Sequence, residues 1–182
     1  EHTTFVAEER AELPVRGGVI DWESSPYSLA CVFERHGKHG GCGMALVGGA
    51  AFTHGAAATT YAHDSHNLLV LGQTAGDMTA AANAVIEMQG GIAAARDGSV
   101  TVCVPLPIAG ILSDRPLPVL AAEIADVRHA LTENGYRHDN AIMSFATLAL
   151  PVSPDVKLTD KGIVDVRRGE IVSLIAEVRP AE

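Results

Sequence analysis

The apolar positions of this chain fall into short runs separated by glycine and polar punctuation. Leu29 to Arg35, Met44 to Val47, Ala56 to Tyr61 and Asn67 to Leu71 each read as a strand, since each is a short stretch of mainly aliphatic or small side chains bounded by turn formers. Between the first two lies Gly37-Lys38-His39-Gly40-Gly41-Cys42-Gly43, which reads as a mobile hairpin or lid and carries no phosphate-binding pattern. The period then lengthens toward that of a helix. Met78, Ala81, Ala82, Val85 and Ile86 share one face, Thr74 with Asp77 forms a capping-box-like start, and Gly90-Gly91 ends the segment. Ile92 to Ala95 and Val100 to Val104, joined by Arg96-Asp97-Gly98-Ser99, predict a hairpin. A second helix follows Ser113-Asp114 as N-cap, takes Pro116 in its first turn, buries Leu117, Leu120, Ala121, Ile124, Val127 and Leu131, and stops at Asn134-Gly135. Pro151 and Pro154 break the chain after Phe145 to Leu150, and Gly162 to Val166 with Ile171 to Leu174 predicts a closing hairpin. The expected fold is α+β: one sandwich-like domain with a mixed sheet of short strands and two main helices. Residues 1–26 read as an N-terminal linker and strand segment, and residues 27–182 as the domain.

Composition narrows the possible functions. With 182 residues, 47% of them hydrophobic, the chain can bury one real core. A formal charge of −9 argues against nucleic-acid binding, which needs a basic surface. No apolar run approaches the ~20 residues that span a bilayer, so no membrane partner is expected. Cys31, Cys42 and Cys103 form no CxxC pair, which argues against a disulfide framework or structural zinc and fits a reducing cytoplasm. Cys31 and Cys103 lie in apolar runs and are expected to be buried.

The densest chemistry is Tyr61-Ala62-His63-Asp64-Ser65-His66-Asn67. Two imidazoles, a carboxylate, a hydroxyl and an amide within five residues are hard to justify by folding alone, and the apolar flanks make this a loop between two strands. Glu34-Arg35-His36 ends the first strand, where Arg35 and His36 either contact a ligand or form a solvated edge. His39 and His54 read as exposed loop residues, and His129 and His138 as polar positions on or after the second helix. No Gly-x-Ser-x-Gly elbow, and no His-x-Glu with Pro-Cys-x-x-Cys, is present.

His63-Asp64-Ser65-His66-Asn67, Gly76-Asp77-Met78, Ala82-Asn83-Ala84-Val85-Ile86, Gly90-Gly91, Leu106-Pro107-Ile108-Ala109-Gly110 and Ser113-Asp114 occur in an order that resembles the C-terminal part of bacterial adenine deaminases. Arg35-His36 and Leu158-Thr159-Asp160-Lys161-Gly162-Ile163-Val164-Asp165-Val166 also look like motifs of that family, so the likeness runs from about Leu29 to about Val172. The resemblance implies hydrolysis of adenine to hypoxanthine and ammonia, with a divalent metal (Mn, Fe or Zn) held by a barrel domain. A barrel typically needs ~250 residues and is absent from this sequence, which also lacks a His-x-His pair. The chain is therefore expected to be a fragment, a processed product or a split subunit, inactive alone, holding no metal or other cofactor itself. Its expected partners are the barrel, a purine-like small molecule and further copies in a homo- or hetero-oligomer.

Under that resemblance His63, Asp64 and His66 are the candidate catalytic residues, lining the mouth of the partner's site or moving protons, and Ser65, Asn67, Arg35 and His36 are candidate substrate contacts. Metal binding by His63 and His66 themselves is the less favoured role, as no third ligand is identifiable. Two alternatives stand beside this. The loop can be a structural cross-link built on an Asx-type turn, and the chain a non-catalytic binding or assembly module. It can also serve an enzyme acting on another heterocycle.

Overall fold

In the computed structural model, residues 4–49 and 51–179 are described; residues 1–3 and 180–182, the outer ends of the two expected segments, lie outside them, as does residue 50. Two short strands, β1 (Val15–Arg16) and β2 (Val19–Ile20), pair across Gly17 and Gly18, whose positive φ the turn requires. The main sheet comprises β3 (Ser28–Phe33), β4 (Cys42–Val47), β5 (Ala56–Thr59), β6 (Leu68–Gly72), β7 (Gly91–Arg96) and β8 (Ser99–Pro105). They lie in the order β4-β3-β6-β5-β7-β8, with every ladder antiparallel. A smaller antiparallel sheet, β9 (Val156–Thr159), β10 (Gly162–Asp165) and β11 (Glu170–Val172), packs on β4. The helices are α1 (Ala75–Glu87), α2 (Leu117–Glu133) and the short α3 (Ala141–Ala146), which runs into a 3-10 turn over Thr147–Ala149.

The main sheet is covered on both faces. Cys31, Ala58, Val70 and Ala93 pack with Met78, Ala81 and Val85 of α1. Val32, Leu69, Leu71, Ile92 and Val104 pack on the other side with Val127 and Leu131 of α2 and Phe145 of α3. Double coverage explains why β5 and β6 are buried at every residue and read as continuous apolar runs rather than alternating ones. Each fully buried Leu or Val contributes about 1.5–3 kcal/mol relative to exposure. The alanines of β5 and β7 let α1 approach closely, and at Gly72 any Cβ would collide with Ala56 and Met78.

The α+β class and the two main helices are as expected; the main sheet, expected to be mixed, is antiparallel throughout, and other details differ in places. The buried face of α1 is Asp77, Met78, Ala81 and Val85, so Ile86 rotates off it and is 60% exposed. Burial along α2 deepens toward its second half: Val127, Ala130 and Leu131 are buried, Leu120 and Ile124 half-buried against the core, and Ala121 and Leu117 exposed. Its N-cap is Pro116, with φ −56° already suited to a helix entry, whereas Ser113 Oγ accepts from Arg115 N in the preceding turn. Cys103 is exposed because β8 is the sheet's edge, while Cys31 is buried. The strand β9 and helix α3 lie in a segment where prolines interrupt the pattern. Among the described residues no helix is long and apolar enough to cross a membrane.

Candidate functional site

The antiparallel registers bring the candidate residues to one end of the main sheet. Phe33 pairs with Leu68, Thr59 with Leu69 and Ile92, and Gly91 with Pro105. The segments after β3, between β5 and β6, before β7 and after β8 therefore emerge together. The buried Thr60 hydroxyl ties three of them, donating to Gly110 O at 2.6 Å and accepting from Gly91 N at 2.9 Å.

Within the loop between β5 and β6, three rings form a cluster. His63 lies edge-on to Tyr61 with centroids 4.8 Å apart, and His63 and His66 are perpendicular at 5.5 Å. Tyr61 Oη reaches Met143 Sδ at 3.9 Å, which anchors the cluster to α3. His63 and His66 are half-buried, Asp64 and Ser65 exposed, and Asn67 buried. The loop closes through His66 N donating to Ala62 O at 2.7 Å. His66 takes a φ of +51°, the left-handed region that a residue with a Cβ seldom adopts. Its Nδ1 is buried without a hydrogen-bond partner. Burial first, then His63 and Arg35, lower the His66 pKa, against the opposing influence of the Thr60 backbone and Asp64. The imidazole is thus biased toward its neutral, proton-accepting form.

Arg35 sits beneath this loop. Its Nε donates to His66 O at 2.5 Å and its Nη2 to Ala109 O at 2.6 Å, while its backbone N donates to Asn67 Oδ1 at 3.3 Å. Gly110 is needed here, since a Cβ would lie 2.7 Å from Arg35 Nη2 and its φ is +77°. His36 Nε2 hydrogen-bonds Ser65 O at 2.9 Å. All of the sequence-derived candidates, His63, Asp64, Ser65, His66, Asn67, Arg35 and His36, are thus brought to one place.

The glycine-rich turn is folded around a carboxylate. Glu34 accepts from the backbone N of His36, Lys38, His39 and Gly40 at 2.6, 2.8, 3.2 and 3.2 Å. Partial burial would raise the Glu34 carboxyl, but these donors outweigh it and pull it down to about 2. Asp160, at the turn between β9 and β10, accepts from Asn67 Nδ2 at 3.0 Å and pairs with His39 Nε2 at 2.9 Å. The turn is therefore tied to the small sheet rather than free to swing. Beside it opens a polar cleft of about 460 Å³, whose lining includes His36, His39, Ser65, Asn67, Asp160 and Lys161.

Glu34, Asp160, Thr60 and Ala109 had not been singled out from the sequence, although Asp160 and Ala109 lie in two of the motifs. The roles of Asp160, Thr60 and Ala109 depend on long-range pairing that residue type alone does not encode, whereas Glu34 gathers N–H groups of its own turn. His54 is half-buried rather than exposed, with Nε2 hydrogen-bonded to Glu133 O at 2.7 Å. Asp114 and His129 take no part in the loop cluster; His129 pairs with Glu133 on α2 at 3.5 Å. Among the described residues no three His, Cys, Asp or Glu side chains are grouped so as to hold a metal ion.

Comparison with known proteins agrees with the motifs. The family described as adenine deaminase C-terminal domain matches residues 3–170. The chain is 47% identical over 174 residues to an "Adenine deaminase" of Clostridium perfringens, covering 96% of this chain and 30% of that protein. It is 48% identical over 172 residues to "Adenine deaminase 2" of Shouchella clausii and 42% identical over 172 residues to "Adenine deaminase 2" of Oenococcus oeni, in each case covering 94% of this chain and 30% of the relative. The chain thus spans less than a third of the length of these relatives, and over almost its whole extent it belongs to the adenine deaminase C-terminal domain family.

Proposed function

We propose that this chain is the C-terminal part of a cytoplasmic adenine-deaminase-type hydrolase and that its loop between β5 and β6 supplies proton-transfer groups beside a site formed with a barrel domain. The observation that carries this reading is the cluster itself: His66, biased toward the neutral form, faces His63 within 5.5 Å on a loop whose backbone is held from below. The resemblance puts a divalent metal, Mn, Fe or Zn, in the barrel, where it would lower the pKa of a bound water. The task of this chain is different. Replacing the C6 amino group of adenine requires protons to move to the ring nitrogen and the leaving ammonia, and His63, Asp64 and His66 have the chemistry for it. Ser65, His36 and Asn67 border the polar cleft, whose volume suits a purine base, while Arg35 supports the loop from beneath. Exposed Phe33, Met44, Ile108 and Leu112 favour burial against the barrel or further copies.

Complementation tests the reading. The chain alone should release no ammonia from adenine, and adding the N-terminal portion of one of the longer relatives should give turnover that depends on both pieces. Turnover by that portion alone, unchanged when this chain is added, would assign the chain to assembly or binding.

A further inference from the structure

We infer that Arg35 is a positioning residue: it holds the backbone of His66 in its left-handed conformation and so aims the imidazole at His63, rather than contacting substrate. This rests on the proposed role of the loop. Four non-glycine residues with positive φ occur among the described residues, His66, Gln89, Asp97 and Ala109. The carbonyls of two of them, His66 at +51° and Ala109 at +57°, are the two acceptors of the Arg35 side chain. A left-handed residue with a Cβ is strained and persists where its surroundings over-determine it. The planar guanidinium is suited to this, because its donors point in fixed directions and span two chain segments that are 43 residues apart in sequence, from His66 to Ala109. No carboxylate pairs with Arg35 among the described ion pairs, so its charge acts on these carbonyls and on the His66 imidazole above them. The site is built around it from three sides. Asn67 Oδ1 receives the Arg35 N–H, Asp160 orients Asn67, and the absence of a Cβ at Gly110 leaves room for the guanidinium.

The test is a double-mutant cycle in the complemented enzyme, using Arg35→Lys, His66→Ala and the pair. Lysine keeps the charge but can reach one carbonyl only. Arg35→Lys should lower kcat about 30-fold or more with KM within about twofold, and in the His66→Ala background the same change should alter kcat less than about twofold, because Arg35 then has nothing to position. In the chain alone, amide exchange of Arg35→Lys should quicken at least tenfold in residues 62–67 and 106–110 and stay unchanged in β5 and β6. A rise in KM with kcat intact would make Arg35 a substrate contact and overturn the inference, as would full additivity with His66→Ala or unchanged exchange. Should His66→Ala itself leave kcat untouched, the proposed role of the loop fails first, and the exchange result still decides whether Arg35 holds its backbone.

Discussion

Asn67→Ala separates a supporting role for this amide from direct substrate contact. Asn67 is 3% exposed, its Nδ2 donates to the Asp160 carboxylate at 3.0 Å, and its Oδ1 accepts from Arg35 N at 3.3 Å. Truncation removes one hydrogen bond to a charged group, worth about 1.5–3 kcal/mol, and one longer neutral bond worth about 0.5–1 kcal/mol. It also leaves Asp160 with His39 as its remaining partner. The expected loss is about 3 kcal/mol, which for a domain of this size lowers Tm by about 6–12 °C. Urea unfolding and calorimetry of the 182-residue chain measure it directly, and Asn67→Asp adds a check, since a carboxylate facing Asp160 should be at least as damaging. A Tm within about 1 °C of the parent, together with collapse of kcat/KM in the complemented enzyme, would refute the reasoning and direct the Asn67 amide at substrate.

Three further outcomes follow from the same geometry. Burial lowers Lys157 from an ordinary value of 10.5 to about 8, so between those values the unfolded chain keeps a proton that the folded chain has released, and stability rises with pH across that window. Comparing urea midpoints of the parent and Lys157→Met at about pH 7.5 and about pH 10 should show that rise in the parent alone; parallel behaviour would remove Lys157 as its source. His66 is held below its ordinary 6.5, chiefly by burial, so the folded chain resists protonation and loses stability as pH falls below about 6.5; the parent should be more acid-sensitive than His66→Gln, and identical acid profiles would contradict this. Glu34→Ala strips the acceptor from four backbone N–H groups, so hydrogen exchange in residues 36–41 should accelerate at least tenfold while β3 stays protected, and unchanged exchange would mean that the turn holds itself.

The sheet and helices were legible because their signals are local. The cap at Thr74 and the apolar runs of β5 and β6 state their conformations within a few residues, and Gly90-Gly91 follows closely on the helix end at Glu87, where Gln89 takes the left-handed turn. Burial of individual helix positions was less legible, as Ile86 and Leu117 carry apolar side chains on flanks that the sheet does not reach. The histidine loop was visible as a density of functional groups, but its support was not. Arg35 looks like a strand-end cation until the fold brings Ala109 and His66 against it, and Asp160 looks like a turn residue until β9 and β10 pack on β4. Such roles arise from pairings more than 30 residues apart, which one sequence does not display.

The most direct test is to measure kinetics and thermal stability on the same preparations of the complemented enzyme carrying His66→Ala or Asp64→Asn. If the loop supplies proton transfer, kcat/KM falls about ten- to ten-thousand-fold while Tm moves by no more than a few degrees, since Asp64 is exposed and His66 half-buried. A sharp fall in Tm with full turnover in the fraction that remains folded would make the loop a structural cross-link and contradict the proposed function.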